Sequence, residues 1–212
     1  MYTIEIRNLC KTIKNAVILE DINLKLESGN VYGFVGKNGS GKTMLFRSLA
    51  GLVHPTSGEV VINGKILHKD IAFVENLGLI IENVGLYPEF TGFKNLKLLA
   101  KINNKINDEQ IKATIARVGL DPEDKRTVKK YSLGMRQRIV LAQALMESPD
   151  VLLLDEPTNG LDEAGTELIR SILREEVKRG ALIAIASHDK EDIAFLCDTK
   201  YKMTAGRLEE MA

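Results

Sequence analysis

Apolar and polar positions alternate along Thr3–Arg7 and Leu19–Leu26, the period of half-buried strands, and predict an antiparallel pair near the N-terminus. Farther on, the pattern changes to short unbroken apolar runs at Val31–Val35, Val151–Leu154 and Leu182–Ala186. Runs of this kind suit strands buried on both faces of a parallel sheet. Val60–Ile62 and Ala72–Val74 are expected to return to sheet, with Asn63-Gly64 as a hairpin turn. Helical spacing marks Met44–Ala50, which ends at Gly51, and Phe93–Ala100, Leu133–Met146 and Glu163–Arg179. It also marks Asp108–Val118, with Asp108 as the expected cap. From about Glu82 to Tyr131 the pattern is helical, broken by the charged connector Asp121–Arg126. The chain shows no internal repeat, low-complexity tract or heptad array.

One junction in this pattern carries chemistry. Between the strand at Val31–Val35 and the helix at Met44 lies Gly36-Lys37-Asn38-Gly39-Ser40-Gly41-Lys42-Thr43, a full match to G-x-x-x-x-G-K-[ST] in its required strand–loop–helix setting. Glycines let backbone N–H groups curl around a phosphate, and the helix N-terminus adds partial positive charge. Gly36, Asn38, Gly39, Ser40, Gly41 and Met44 are the expected cradle. Lys42 is expected to reach the β- and γ-phosphates of a nucleotide, and Thr43 to ligate Mg²⁺.

A second junction lies after Val151–Leu154, where Asp155-Glu156 closes an apolar strand. Asp155 is placed to hold Mg²⁺ and Glu156 to polarise an attacking water. On its own the pair also fits a helix cap before Pro157-Thr158; the phosphate loop upstream favours hydrolysis.

A third motif separates the chain from most proteins with a phosphate loop. Tyr131-Ser132-Leu133-Gly134-Met135-Arg136-Gln137-Arg138 opens an apolar helix just before the Asp155-Glu156 strand. Ser132 can cap that helix, and its N–H groups can receive an anion. In this order the motifs resemble those of ATP-binding cassette (ABC) proteins, over about Thr3 to Leu208, with Leu133 and Met135 in place of the commoner Gly and Gln. The resemblance implies an α/β fold: a P-loop NTPase core at 1–81 and 132–212 with an antiparallel β-subdomain edged by Ser57–Val60, and an α-helical subdomain inserted at 82–131. It also implies that Ser132 and Gly134 meet the γ-phosphate held by an opposite subunit. Asp162 in Gly160-Leu161-Asp162 would face that partner, and His188 would sense the γ-phosphate. By residue type alone, a lone His after a strand is more often structural.

Two positions depart from the family pattern. Glu82 stands where a Gln is usual, and Ile-Glu-x-x-x-Leu-Tyr-Pro resembles the bacitracin-resistance and lantibiotic-immunity branch. A carboxylate there can contact Mg²⁺ or water; the alternative is a solvated loop residue. Ile13 stands where an aromatic ring usually stacks on adenine. Such stacking is worth about 1–3 kcal/mol, so weak discrimination between bases is expected.

The remaining composition sets limits. With 29 basic and 29 acidic residues among 212, the chain has no electrostatic footprint for nucleic acid. Although 44% is hydrophobic, no uncharged apolar run approaches the ~20 residues of a membrane span. Met1–Glu5 lacks a signal-peptide layout, and Cys10 and Cys197 are isolated, as expected for reduced thiols. The expectation is a cytoplasmic ATPase that uses ATP and Mg²⁺. It would pair with an identical copy or close paralogue and reach the membrane through a separate integral permease subunit. Leu86, Tyr87 and Phe90 would dock that permease or pack the helical lobe. By resemblance the activity is export of a peptide antibiotic. The other readings are a non-transport ABC ATPase of DNA-repair or translation type, and a regulatory nucleotide-binding module.

Overall fold

A computed structural model describes residues 1–82 and 85–211. Asn83 and Val84, inside the segment expected to be helical, lie outside the described residues. The chain opens with two long strands, β1 (Thr3–Ile13) and β2 (Ala16–Glu27), then β3 (Val31–Val35) and α1 (Lys42–Leu49). β4 (Ser57–Ile62), β5 (Lys65–Ile66) and β6 (Leu77–Ile80) follow. Three helices come next: α2 (Gly92–Asn103), α3 (Asp108–Arg117) and α4 (Leu133–Leu145). The last part runs β7 (Val151–Asp155), α5 (Glu163–Arg179), β8 (Leu182–Ser187), α6 (Lys190–Leu196), β9 (Thr199–Thr204) and β10 (Arg207–Met211).

These strands form two sheets. One is antiparallel, in the order β2-β1-β4-β5. The other runs β10-β9-β3-β8-β7-β6 and is parallel except for the β9–β10 hairpin. β7 shows why an unbroken apolar run is needed. Leu152 and Leu154 enter one core with α2, α3, α4, α5 and α6, while Val151 and Leu153 enter a second core with α1 and the antiparallel sheet. Truncating one of these fully buried leucines to Ala costs about 2–5 kcal/mol. In the second core Phe34 and Phe46 meet edge-to-face at 5.6 Å, worth about 0.5–1.5 kcal/mol beyond their burial.

The sequence expectations need two corrections here. Ala72–Val74 is not a strand; the chain returns to sheet at Leu77–Ile80, beside β7. Gly78 interrupts the apolar run there, because a Cβ would run into the Ala144 carbonyl oxygen of α4. Likewise, the cap of α3 is Asn107 and not Asp108. The Asn107 side chain accepts from the Gln110 N–H while Gln110 reaches back to the Asn107 N–H. The Asn63-Gly64 turn does join β4 to β5, with both residues at positive φ.

The helices of 92–117 are locked to the core through α3. Arg117 pairs with the buried Glu176 of α5 at 2.5 Å, and Arg179 pairs with the same carboxylate at 2.6 Å. Burying that carboxylate is tolerable because two guanidinium groups satisfy it. Cys197 is buried against β3 and its thiol is pushed up to about 12 by that burial, so it stays protonated and unreactive. Among the described residues, no helix is long and apolar enough to cross a membrane.

Candidate functional site

The parallel sheet brings three chain segments to one edge. β3, β8 and β7 are neighbours in that order, so the loop after β3, Ser187-His188 after β8 and Asp155-Glu156 after β7 lie side by side. Ligands in α/β proteins bind outside such strand ends. An open cleft of about 950 Å³ follows this edge, lined by Ser40, Lys42, Thr43, Glu82, Asp155 and Glu156 among others.

In the glycine loop, Gly39 and Gly41 hold φ of 79° and 111°, which a side chain would strain. At Gly36 a Cβ would sit 2.5 Å from the Met203 carbonyl oxygen and 2.6 Å from Ser40 Oγ. Lys42 is only 6% exposed, and its Nζ donates to the carbonyls of Gly36 (2.5 Å) and Lys37 (3.4 Å). Ser40 Oγ is buried with no hydrogen-bond partner among the described residues. α1 starts at Gly41 with no side-chain cap and no acidic residue in its first turn, and Met44 completes that turn. A buried ammonium, an orphaned hydroxyl and uncapped helix N–H groups together fit a polyphosphate.

Thr43 Oγ1 donates to Asp155 Oδ2 at 2.8 Å. Burial holds the Asp155 carboxyl above its ordinary range, against the stabilising Thr43 hydrogen bond, and Glu156 pushes the same way as burial. Two oxygen donors at this spacing suit a hard cation such as Mg²⁺. Glu82, at φ 52°, pairs with Arg47 of α1 at 2.9 Å, a partner the sequence pattern does not reveal.

Glu156 and His188, separate in the sequence reading, are in contact. Glu156 Oε1 accepts the His188 backbone N–H and lies 2.8 Å from His188 Nδ1, while Oε2 accepts from Ser187 Oγ at 3.0 Å. The Glu156 carboxylate therefore raises the His188 pKa above 6.5. Glu156 itself sits at φ 52°, a left-handed conformation that costs a non-glycine residue about 1–3 kcal/mol.

The Ser132 motif occupies the other side. Ser132 caps α4, its side chain accepting from the Met135 N–H at 3.2 Å. Gly134 lies close to the Gly160 carbonyl, where a Cβ would come within 3.1 Å. Asp162 caps α5 through Gly165 N–H at 2.9 Å and faces Arg138 at 3.8 Å. Gln137 donates from Nε2 to the carbonyls of Glu156 (3.1 Å) and Pro157 (2.9 Å), a contact the motif does not announce.

Two candidates sit apart. Ile13 ends β1 at 42% exposure and is outside the set that lines the cleft, whereas Ile18 of β2 lines it. In the 85–91 loop, Leu86 packs against the core while Tyr87 is 59% exposed. The loop is held by the buried Asn95, whose Oδ1 accepts from Tyr87 N–H at 2.7 Å and whose Nδ2 donates to the Tyr87 and Thr91 carbonyls.

A phosphate loop after a parallel strand, beside a Thr–Asp oxygen pair and a glutamate, defines a P-loop nucleotide triphosphatase. Comparison with known proteins narrows the class. Residues 19–159 match the family described as ABC transporter. An uncharacterised ABC transporter ATP-binding protein of Bacillus subtilis is 52% identical over 206 residues, 97% of this chain and 94% of that protein. The bacitracin transport ATP-binding protein of Enterococcus faecalis is 37% identical over 99% of this chain and 68% of its own length. A lantibiotic transport ATP-binding protein of Streptococcus pyogenes is 36% identical over 92% of this chain and 84% of its own length. In fold, the chain is similar to a dimeric bacterial ABC transporter cassette, with a TM-score of 0.86 and 22% identity over 99% of both chains. The chain belongs to the ABC transporter family and is its ATP-binding, ATP-hydrolysing component.

Proposed function

We propose that two copies of this chain, or one copy and a close paralogue, close around two ATP molecules and drive a membrane permease that exports a peptide antibiotic. The observation that carries the ATPase part is the convergence of Lys42, the Thr43–Asp155 pair and Glu156 on one cleft. The Lys42 ammonium would exchange the Gly36 and Lys37 carbonyls for phosphate oxygens, joined by the Ser40 hydroxyl and the N–H groups of Gly39 to Met44. Thr43, Asp155 and Glu82 are the residues to hold Mg²⁺, which when bound neutralises charge on the β- and γ-phosphates.

Glu156 takes the proton of the attacking water as its oxygen bonds to the γ-phosphorus and the bond to ADP breaks. His188, held through Nδ1, keeps Nε2 for the γ-phosphate. Ser132, Gly134 and the first turn of α4 would grip the γ-phosphate bound by the other copy, with Asp162 at the same interface. Binding of ATP then favours the closed pair, because those contacts exist only when it is closed.

For the base we keep Ile13 as an aliphatic platform and add Ile18, which lines the cleft. ATP and GTP then bind within about a hundredfold of each other, since the 1–3 kcal/mol of aromatic stacking is missing. Residues 82–131 are the proposed arm toward the permease, with Tyr87 as its exposed contact and the attachment at the inner face of the cell membrane. The cargo follows the bacitracin and lantibiotic transport relatives.

The decisive test is light scattering on Glu156→Gln with and without Mg-ATP. The expected result is a dimer only with ATP, and turnover lower by about 10²–10⁴-fold. A monomer that binds ATP normally would overturn self-assembly. For the cargo, co-expression with a permease in a bacitracin-sensitive cell should raise resistance only when Glu156 is intact.

A further inference from the structure

We propose that Gln137 is the positioning residue for Glu156: its side-chain amide pins the turn that aims the carboxylate into the cleft. The inference rests on reading Glu156 as the group that activates water. The turn needs holding, because Glu156 is a non-glycine residue at φ 52° immediately after β7.

Contacts hold the turn on two sides. From β8, the Ala186 carbonyl accepts the Glu156 N–H at 2.8 Å, and Ser187 and His188 fix the carboxylate. From α4, Gln137 Nε2 donates to the Glu156 and Pro157 carbonyls at 3.1 and 2.9 Å. Among the described residues, the one further support of the Glu156 carbonyl is the Asn159 N–H at 3.2 Å. A single amide that bridges two successive carbonyls fixes the peptide plane between them, and with it the ψ of Glu156. Gln137 thus acts through the backbone and touches neither the carboxylate nor a reacting atom.

Its place in the chain adds a consequence. Gln137 lies in the second turn of the helix that Ser132 begins. Any displacement of that helix start by a phosphate of the other copy is passed by Gln137 directly to the Glu156 of its own chain. One rigid turn of helix therefore links the site a chain offers to its partner with the site it keeps for itself.

Gln137→Met keeps the side-chain length and removes the donor; Gln137→Lys restores a donor. Gln137→Glu, with an acceptor oxygen where the donor stood, is the second disruptive variant should Gln137→Met not fold. All are compared with wild type and Glu156→Gln in steady-state ATPase assays. In parallel, the His188 ring resonances are followed at fixed pH; the chain has 3 histidines, so each signal is separable. The expected result is a fall in kcat of about 10–100-fold for the disruptive variants, the effect of a small misplacement of a reacting group. KM for ATP should stay within about twofold, since no ground-state contact is lost. Gln137→Lys should recover most of kcat. The His188 resonances should shift while those of His54 and His68 stay, a signature that general loosening would not give. Wild-type kcat and an unmoved His188 signal in a folded disruptive variant would overturn the proposal. If Glu156→Gln itself keeps full turnover, the reading of Glu156 fails separately, and the His188 signal still decides whether Gln137 holds the turn.

Discussion

Two helix starts on this chain, both proposed to meet phosphate, are finished in different ways. α1 begins at Gly41 with no side-chain cap, and its lysine is 6% exposed. α4 begins at Ser132, which occupies the Met135 N–H with its own hydroxyl, and the next residue, Leu133, is 58% exposed. Both lack an acidic residue in the first turn, as does α2, whereas α3, α5 and α6 carry Asp or Glu there. An acid-free first turn leaves the positive end of the helix dipole unneutralised. The difference lies in where the ligand is to come from. On the proposed function, the recessed α1 start receives the phosphate that its own chain encloses. On the same proposal, the α4 start, capped by its own serine and flanked by the exposed Leu133, is the one offered to an anion from the other copy.

The sharpest way to break this contrast is at α1. Lys42→Ala removes a buried charged donor worth about 1.5–3 kcal/mol, so ATP affinity should fall about 10–150-fold by calorimetry. A smaller but more selective effect is expected at α4. Gly134→Asp puts an acid into the first turn, as in α3 and α5, and crowds the Gly160 carbonyl. Monomer affinity for ATP should be unchanged, while the ATP-dependent dimer of the Glu156→Gln background should weaken at least about tenfold through like-charge repulsion. Loss of both would mean the two helix starts are not separate sites.

Ser132→Ala tests the finishing role. It should cost about 1 kcal/mol of stability, the worth of an N-cap. In a domain of this size that lowers Tm by about 2–4 °C, with ATP affinity unaltered. The smallest effect concerns His188. Its pKa is raised by Glu156, so the pair contributes stability in full below about pH 6.5 and gives it up as pH rises through the raised value. The Tm gap between wild type and His188→Gln should therefore narrow from pH 6 to pH 9. As the ring is largely exposed, the contribution stays under about 1 kcal/mol. A gap that widens with pH would reverse the assigned contact.

Local patterns were readable where one segment decides the outcome. β3, β7 and β8 are continuous apolar runs because both faces are covered, and the glycine loop needs its glycines wherever it occurs. The Ser132 cap and the Asn63-Gly64 turn are local for the same reason. What sequence reading missed depends on neighbours far along the chain. β6 is hidden by Gly78, whose absent side chain answers to the Ala144 carbonyl. β9 reads Thr-Lys-Tyr-Lys-Met-Thr, too polar to look like a strand until β3 and β10 flank it. The Glu156–His188 contact joins residues 32 apart, Arg47–Glu82 joins residues 35 apart, and neither spacing has a local signature. Asn95 and Gln137 look like surface amides on helices until the loops they hold are in place.

The left-handed backbone at Glu156 sets the comfort of the main chain against the needs of the side chain. On the proposed function, Asn or Gly at this position would relax the turn while giving up turnover and the contacts that the carboxylate makes with Ser187 and His188, so backbone ease and chemistry are opposed at one residue.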